Sequence, residues 1–316
     1  KPWETTGMVV LQAESETSSI NMVYGGASCG KKVMTSSSSP GVSLMCEGIS
    51  YIAGAELPCV IVDVMRGGPG LGTIQPSQSD YNQIVKGGGH GDFHNIVIAP
   101  ASAQDMYDFV DWGFELAFKH RNPVVILADG IIGQMMEKVE MHEMKPRRTA
   151  EEIAKVAPWA TVGKPAGRER NIITSLSLDA DIQEKFNRKL KNKYDIIEET
   201  EVKFSEYMTE DAEYLFVAFG CSSRICEAVV DELRAEGIKA GLLRPITLYP
   251  FPVKEIARLS KQVKSMMSIE LNLGQMVDDV RLAVNGACPV GFYGRQGGNI
   301  FTPEEISEAF RKFNNL

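Results

Sequence analysis

Histidine is scarce in this sequence, cysteine is sparse and scattered, and no long apolar run occurs. The 316 residues hold four histidines, His90, His94, His120 and His142, which limits histidine-based acid–base chemistry. Six cysteines in a chain this long do not form a disulfide scaffold. Only Cys221 and Cys226 lie close together, and their spacing is not CxxC, so no zinc or iron–sulfur ligand set is legible. Nothing approaches the run of about 18–20 apolar residues that a membrane span needs. A basic excess is also missing. The 33 Lys+Arg against 41 Asp+Glu leave a net charge of -8, which disfavours nonspecific binding to nucleic acid. Lys1-Pro2-Trp3-Glu4 does not open a signal peptide. The expectation is a reduced, cytoplasmic, soluble protein without nucleic-acid or membrane partners.

What is present is an ordinary globular balance, 44% hydrophobic and 23% charged. At about 100–200 residues per domain, the length predicts two domains. Strand and helix signals alternate in the first half. Residues 8–13 read as a strand, 14–29 as a helix stopped at Gly30, and 32–36 as a strand. Pro40 is placed to open a helix reaching about Glu56. Residues 58–65 read as a strand buried on both faces. Residues 66–86, with four glycines and two prolines, read as a loop with room for a short helix; strands at 95–99 and 123–128 then flank a helix at 103–120. From 140 to 170 the chain is polar and carries Pro146, Pro158 and Pro165, and 179–208 reads as one long helix. From Tyr214 the alternation returns, giving a second, smaller α/β unit.

Several motifs invite a functional reading. Gly25-Gly26-Ala27-Ser28-Cys29-Gly30-Lys31-Lys32 nearly spells a phosphate-binding loop. It ends in Lys32 where Ser or Thr should hold magnesium, and its order is helix then strand, so a plain helix terminus is favoured. Gly67-Gly68-Pro69-Gly70-Leu71-Gly72 follows a strand as a dinucleotide fingerprint would, but Pro69 breaks the spacing. Such a loop lets backbone pass close to a ligand. Arg66 stands at the carboxyl end of the buried strand, where a guanidinium suits a bidentate grip on a carboxylate. Glu14 and Glu16 open a helix, where favourable placement against its dipole is the plain reading. Ser36–Ser39 offer hydroxyl donors or a helix cap, and no GxSxG elbow surrounds them. His90, inside Gly87-Gly88-Gly89-His90-Gly91-Asp92, sits in a lid or a turn.

Taken together, Gln12-Ala13-Glu14-Ser15-Glu16, Met34-Thr35-Ser36-Ser37-Ser38-Ser39-Pro40-Gly41, Val64-Met65-Arg66-Gly67-Gly68-Pro69-Gly70 and Gln75-Pro76-Ser77-Gln78 resemble the alpha subunit of 2-oxoacid:ferredoxin oxidoreductases. So do the His90 segment, Gly133-Gln134-Met135-Met136-Glu137 and Leu243-Arg244-Pro245-Ile246-Thr247-Leu248-Tyr249-Pro250-Phe251-Pro252. The resemblance covers nearly the whole chain and is strongest to the 2-oxoisovalerate (branched-chain) type, with the 2-oxoglutarate type next.

That resemblance implies an α/β fold of two doubly wound parallel-sheet domains. Residues 1–145 would be like the pyrimidine-binding domain of thiamine diphosphate enzymes and 211–316 like the transketolase C-terminal domain, with 146–210 a connector containing the long helix. It implies that Glu16 hydrogen-bonds the aminopyrimidine of thiamine diphosphate and that Arg66 holds the substrate carboxylate. Ser37, Ser38 and His90 are further substrate-site candidates, and Gly70 a further cofactor-site candidate. No Gly-Asp-Gly occurs here, so the diphosphate and its Mg2+ are expected on a beta subunit and the iron–sulfur clusters on gamma and delta subunits, with no metal ligands on this chain. The implied reaction is oxidative decarboxylation of a 2-oxoacid to acyl-CoA and CO2, with coenzyme A as co-substrate and ferredoxin as electron acceptor. The family begins with a further stretch carrying Tyr-Pro-Ile-Thr-Pro; this chain starts at Lys1, after that motif, so part of the site and the first strand are expected to lie there. Two readings from other classes stay open: a noncatalytic scaffold subunit, and a nicotinamide-linked oxidoreductase using the 67–72 loop.

Overall fold

The computed structural model describes residues 6–143, 148–164 and 166–316, so residues 1–4 and the connector's Pro146 and Pro165 lie outside the described residues. The near-continuous apolar stretches become parallel strands covered by helices. In chain order the α-helices are α1 (Glu16–Ser28), α2 (Ser39–Gly54), α3 (Ala103–His120), α4 (Ala150–Val156), α5 (Ala180–Thr200), α6 (Gly220–Ala235), α7 (Val253–Leu259), α8 (Met276–Val284) and α9 (Pro303–Asn314), and a short π-helix spans Asn82–Gly87 at the end of the glycine-rich loop.

The first sheet runs β1 (Met34–Ser37), β2 (Cys59–Met65), β4 (Pro123–Asp129), β3 (Ile96–Ile98), all parallel. The second runs β10 (Val290–Gly294), β9 (Ser265–Glu270), β6 (Tyr214–Val217), β7 (Ala240–Pro245), also parallel. Each sheet ends on a short antiparallel strand. β8 (Thr247–Tyr249) leaves the second unit to pair with β3, and β5 (Phe204–Tyr207), at the end of the connector, pairs with β7. Both edge strands went unread in the sequence. β8 is only three residues long, and β5 was absorbed into the helix predicted to reach Met208. That helix stops at Thr200 because the open edge of β7 takes the backbone hydrogen bonds of 204–207.

Residues 8–13 are not a strand. Val9 is 84% exposed, and the segment, though extended in its apolar pattern, has no neighbour among the described residues to complete a ladder.

The two units are joined by buried hydrogen bonds centred on Gln78. Its backbone N–H donates to Leu271 O at 3.0 Å, its Nε2 donates to Phe219 O at 2.8 Å, and its Oε1 accepts from Ser222 Oγ at 2.8 Å and Leu271 N at 3.1 Å. Asn272 Nδ2 donates to its carbonyl at 2.8 Å. Asp129, the last residue of β4, adds a second tie by accepting from Cys221 N at the start of α6 at 2.8 Å. These bonds seat the carboxyl ends of β2 and β4 beside the carboxyl end of β9, where ligands of open α/β sheets bind. Gln78→Ala should strand Phe219 O, Ser222 Oγ and Leu271 N away from water. A loss of about 2–3 kcal/mol is expected, read as a lower denaturation midpoint; an unchanged midpoint would show that these bonds do not hold the units together.

Candidate functional site

The site is built where α1 and α2 meet the carboxyl end of β2. Ser15 caps α1 by accepting from Ser18 N at 3.2 Å, which makes Glu16 the first helical residue. Ser19 Oγ and Thr35 Oγ1 lie 2.6 Å apart and tie α1 to β1. The helices approach closely because α2 presents Gly48 to Ile20 and Gly41 to Glu16. A methyl group at Gly41 would overlap Ser37 Oγ and lie 2.8 Å from Glu16 Oε1. The half-buried Glu16 carboxylate thus lies across the first turn of α2, beside Ser37. It makes no hydrogen bond or ion pair among the described residues.

Arg66 follows β2. Its backbone N–H donates to Ser39 Oγ at 3.1 Å, and Gly67 N donates to Gln75 O at 2.9 Å, so the root of the side chain is fixed. Its guanidinium has no acidic partner among the described residues, and its Nε is buried without a hydrogen bond. A half-buried cation in that state is ready for an anionic ligand. The loop beyond closes through Thr73 N to Gly67 O at 2.8 Å and packs on the Gly297–Gly298 backbone of the second unit.

Glu16 and Ser37 therefore meet at one turn, 37–41, which includes Ser38 and to which Arg66 is tied through its backbone. Ser38 is the N-cap residue of α2 but its hydroxyl makes no capping bond. Gly70 stands at the exposed tip of the loop with φ +71 and open space around it. His90 is not brought to this end. Its N–H donates to Ser50 Oγ at 2.8 Å and its ring meets Tyr51 edge-on, eleven residues along α2 from Ser39, about 16 Å of helix rise. A cavity of about 620 Å³ opens beside that end, lined by His94, Asn187 and Tyr194 among others. Its cations Lys86, Arg188 and Lys191 are already paired with Asp279, Glu184 and Asp195.

Three residues at the turn escaped the sequence analysis as a group. Ser39 Oγ, besides accepting from Arg66 N, donates to Asp80 Oδ2, and Ser39 N donates to Asp63 Oδ1 at 3.1 Å. Both carboxyls are buried. Burial and then the neighbouring Asp80 charge push the Asp63 carboxyl well above the usual carboxylate range, and burial raises that of Asp80. One signal was legible: an acid at position 63 inside the apolar run Val60-Ile61-Val62-Asp63-Val64. Asp80 carried none. No group of three or more His, Cys, Asp or Glu side chains among the described residues is placed to hold a metal ion, and no helix among them is long and apolar enough to cross a membrane.

Two family profiles match the chain. "Pyruvate flavodoxin/ferredoxin oxidoreductase, thiamine diphosphate-binding" covers residues 2–205, and "Pyruvate:ferredoxin oxidoreductase core domain II" covers 212–306. The chain is 51% identical to the ketoisovalerate oxidoreductase subunit VorB of Methanothermobacter marburgensis over 97% of its own length and 85% of that protein. It is 36% identical to the 2-oxoglutarate synthase subunit KorA of Methanocaldococcus jannaschii, over 96% and 87%. Among solved structures it resembles a 2-oxoglutarate:ferredoxin oxidoreductase from Magnetococcus marinus with 2-oxoglutarate, coenzyme A and succinyl-CoA bound. The TM-score is 0.79 at 27% identity, covering 97% of this chain and 57% of that one. A split-gene transketolase, with a TM-score of 0.57 at 13% identity, shares the fold.

Proposed function

This chain belongs to the pyruvate flavodoxin/ferredoxin oxidoreductase family, and from that premise we propose that it is the alpha subunit of a 2-oxoacid:ferredoxin oxidoreductase acting on 2-oxoisovalerate, with 2-oxoglutarate as the second choice. The observation that carries the proposal is a carboxylate, Glu16, across the first turn of α2 and an arginine, Arg66, bonded through its backbone to Ser39 of the same turn, neither with a charged partner among the described residues. When bound, thiamine diphosphate supplies the electron sink for decarboxylation.

The residues present fit that group. Glu16 lies in a cradle that Gly41 leaves open, where its carboxylate can accept from, or hand a proton to, a ring nitrogen. Arg66, rooted by its backbone bond to Ser39, fixes the substrate carboxylate by donating in-plane N–H groups from its guanidinium. The Ser37 hydroxyl, beside Glu16, and the uncommitted hydroxyl of Ser38, next along the turn, are donors to the substrate's oxygens. Gly70 and its loop bring backbone to the same side of the sheet as Arg66. The diphosphate with Mg2+ would be held by a beta subunit, iron–sulfur clusters by gamma and delta subunits, and ferredoxin would receive the electrons while coenzyme A takes the acyl group. The nicotinamide reading loses support, because the 67–72 loop opens no helix whose N-terminus could hold a pyrophosphate.

Substrate profiling of the reconstituted complex with 2-oxoisovalerate, 2-oxoglutarate, pyruvate and indolepyruvate tests the reading. The highest kcat/KM is expected for 2-oxoisovalerate, and a preference for another acid would overturn the assignment of substrate. Gly41→Ala tests the cradle without removing a charged group. Its methyl displaces both Ser37 Oγ and Glu16, and misplacement on this scale costs about 10–100-fold in turnover. The fold should hold, since Ala is favoured over Gly in a helix by about 1 kcal/mol. Parent-like turnover in Gly41→Ala would mean that Glu16 does not work from this cradle.

A further inference from the structure

Beneath the turn that carries Arg66 lies a pair of acids with no cation paired to them among the described residues. Asp63 is fully buried in β2. Its Oδ1 accepts from Ser39 N, while its Oδ2, also buried, takes no N–H or O–H from the described chain. Asp80 is buried too, and Ser39 gathers the two carboxyl groups: its N–H donates to Asp63 Oδ1 at 3.1 Å and its hydroxyl to Asp80 Oδ2. Two buried carboxyl groups held by the same serine, with no cation paired to either among the described residues, resist ionising together, and the orphaned Asp63 Oδ2 is the atom that would carry the proton.

The groups facing the pair are few. From α2 comes Ser39, through its N–H and hydroxyl. Arg66 meets the pair through its backbone, by way of Ser39 Oγ. Tyr81, next along the chain from Asp80, turns its hydroxyl to Asp279 instead. Glu16, from α1, lies across Gly41, two residues beyond Ser39.

We propose that Asp63 and Asp80 share one proton and are positioning residues for Arg66. The protonated pair holds Ser39, Ser39 Oγ accepts the Arg66 N–H, and loss of the proton puts two negative charges against each other and slackens that chain. This rests on the reading in which Arg66 binds the substrate carboxylate. The sign is fixed by linkage. The folded state keeps a proton that the unfolded chain gives up in the ordinary carboxylate range, so the pair's contribution is present at low pH and is lost as pH rises through the folded transition.

The test uses the assembled complex. Infrared difference spectra between the parent and the Asp63→Asn/Asp80→Asn double variant should show a protonated carboxyl band in the parent at neutral pH that disappears on alkalinisation. The KM for the 2-oxoacid should rise about tenfold over the same range. In Asp80→Asn the side chain can still accept from Ser39 Oγ but carries no charge, so the alkaline rise in KM should vanish. Should that variant fail to assemble, Ser39→Ala serves instead: it keeps the carboxyl pair and its band but cuts the link to Arg66, raising KM and flattening its pH profile. Absence of the band overturns the shared proton. A band whose loss leaves KM unmoved, or an alkaline rise that persists in both variants, overturns the positioning role. If Arg66→Ala leaves KM unchanged, the assignment of Arg66 fails, and the band still reports on the pair separately.

Discussion

Glu16→Gln in the assembled complex should lower 2-oxoacid-dependent dye reduction by about 10²–10⁴-fold, the range that a positioned acid–base group contributes. The substitution keeps the shape and hydrogen-bonding reach of the side chain but removes its ability to hold or release a proton. Little else should change. The Glu16 carboxylate makes no hydrogen bond or ion pair within the described chain, and such substitutions usually stay within about 0.5 kcal/mol of the parent. Assembly and denaturation midpoint therefore serve as the control. A variant that assembles normally and turns over near the parent rate would remove Glu16 from the chemistry.

Arg66→Ala should raise the KM for 2-oxoacids by about 10–100-fold, the equivalent of the roughly 1.5–3 kcal/mol carried by a hydrogen bond to a charged group. Here too the structure separates function from stability. The guanidinium has no acidic partner among the described residues, and its buried Nε is unsatisfied, so truncation relieves a polar atom without breaking an ion pair. The bond to Ser39 comes from the backbone and survives the substitution. Arg66→Lys should recover only part of the loss, because an ammonium cannot reproduce the planar two-donor grip. An unchanged KM in Arg66→Ala, with ordinary stability, would place the residue outside the substrate pocket.

Most of the fold was legible because its strands are buried on both faces. The apolar run at 58–65 needs no alternation to be read, and β2 and β4 stand where they were expected. What escaped depended on tertiary partners. β8 is three residues that make sense only against β3 from the other unit, and β5 only against the open edge of β7. Residues 8–13 have the apolar pattern of a strand but no neighbour among the described residues.

The site was legible in the same uneven way. Glu16 on its own chemistry reads as a helix-start acid, and its place across Gly41 follows from the close packing of α1 and α2, which glycines at 41 and 48 permit. His90 looked like a neighbour of the others because glycines surround it in the sequence, yet its N–H is bonded to Ser50, far along α2. Asp80 carries no local signal at all. Only the return of the loop beneath Ser39 makes it a partner of Asp63.

The central claim is that the Glu16 carboxylate governs proton movement on the coenzyme. Exchange of the thiazolium C2 proton for deuterium, followed in the assembled complex without substrate, measures it directly. The account predicts rapid exchange in the parent and exchange slowed by about 10²–10⁴-fold in Glu16→Gln; equal rates in the two would contradict it.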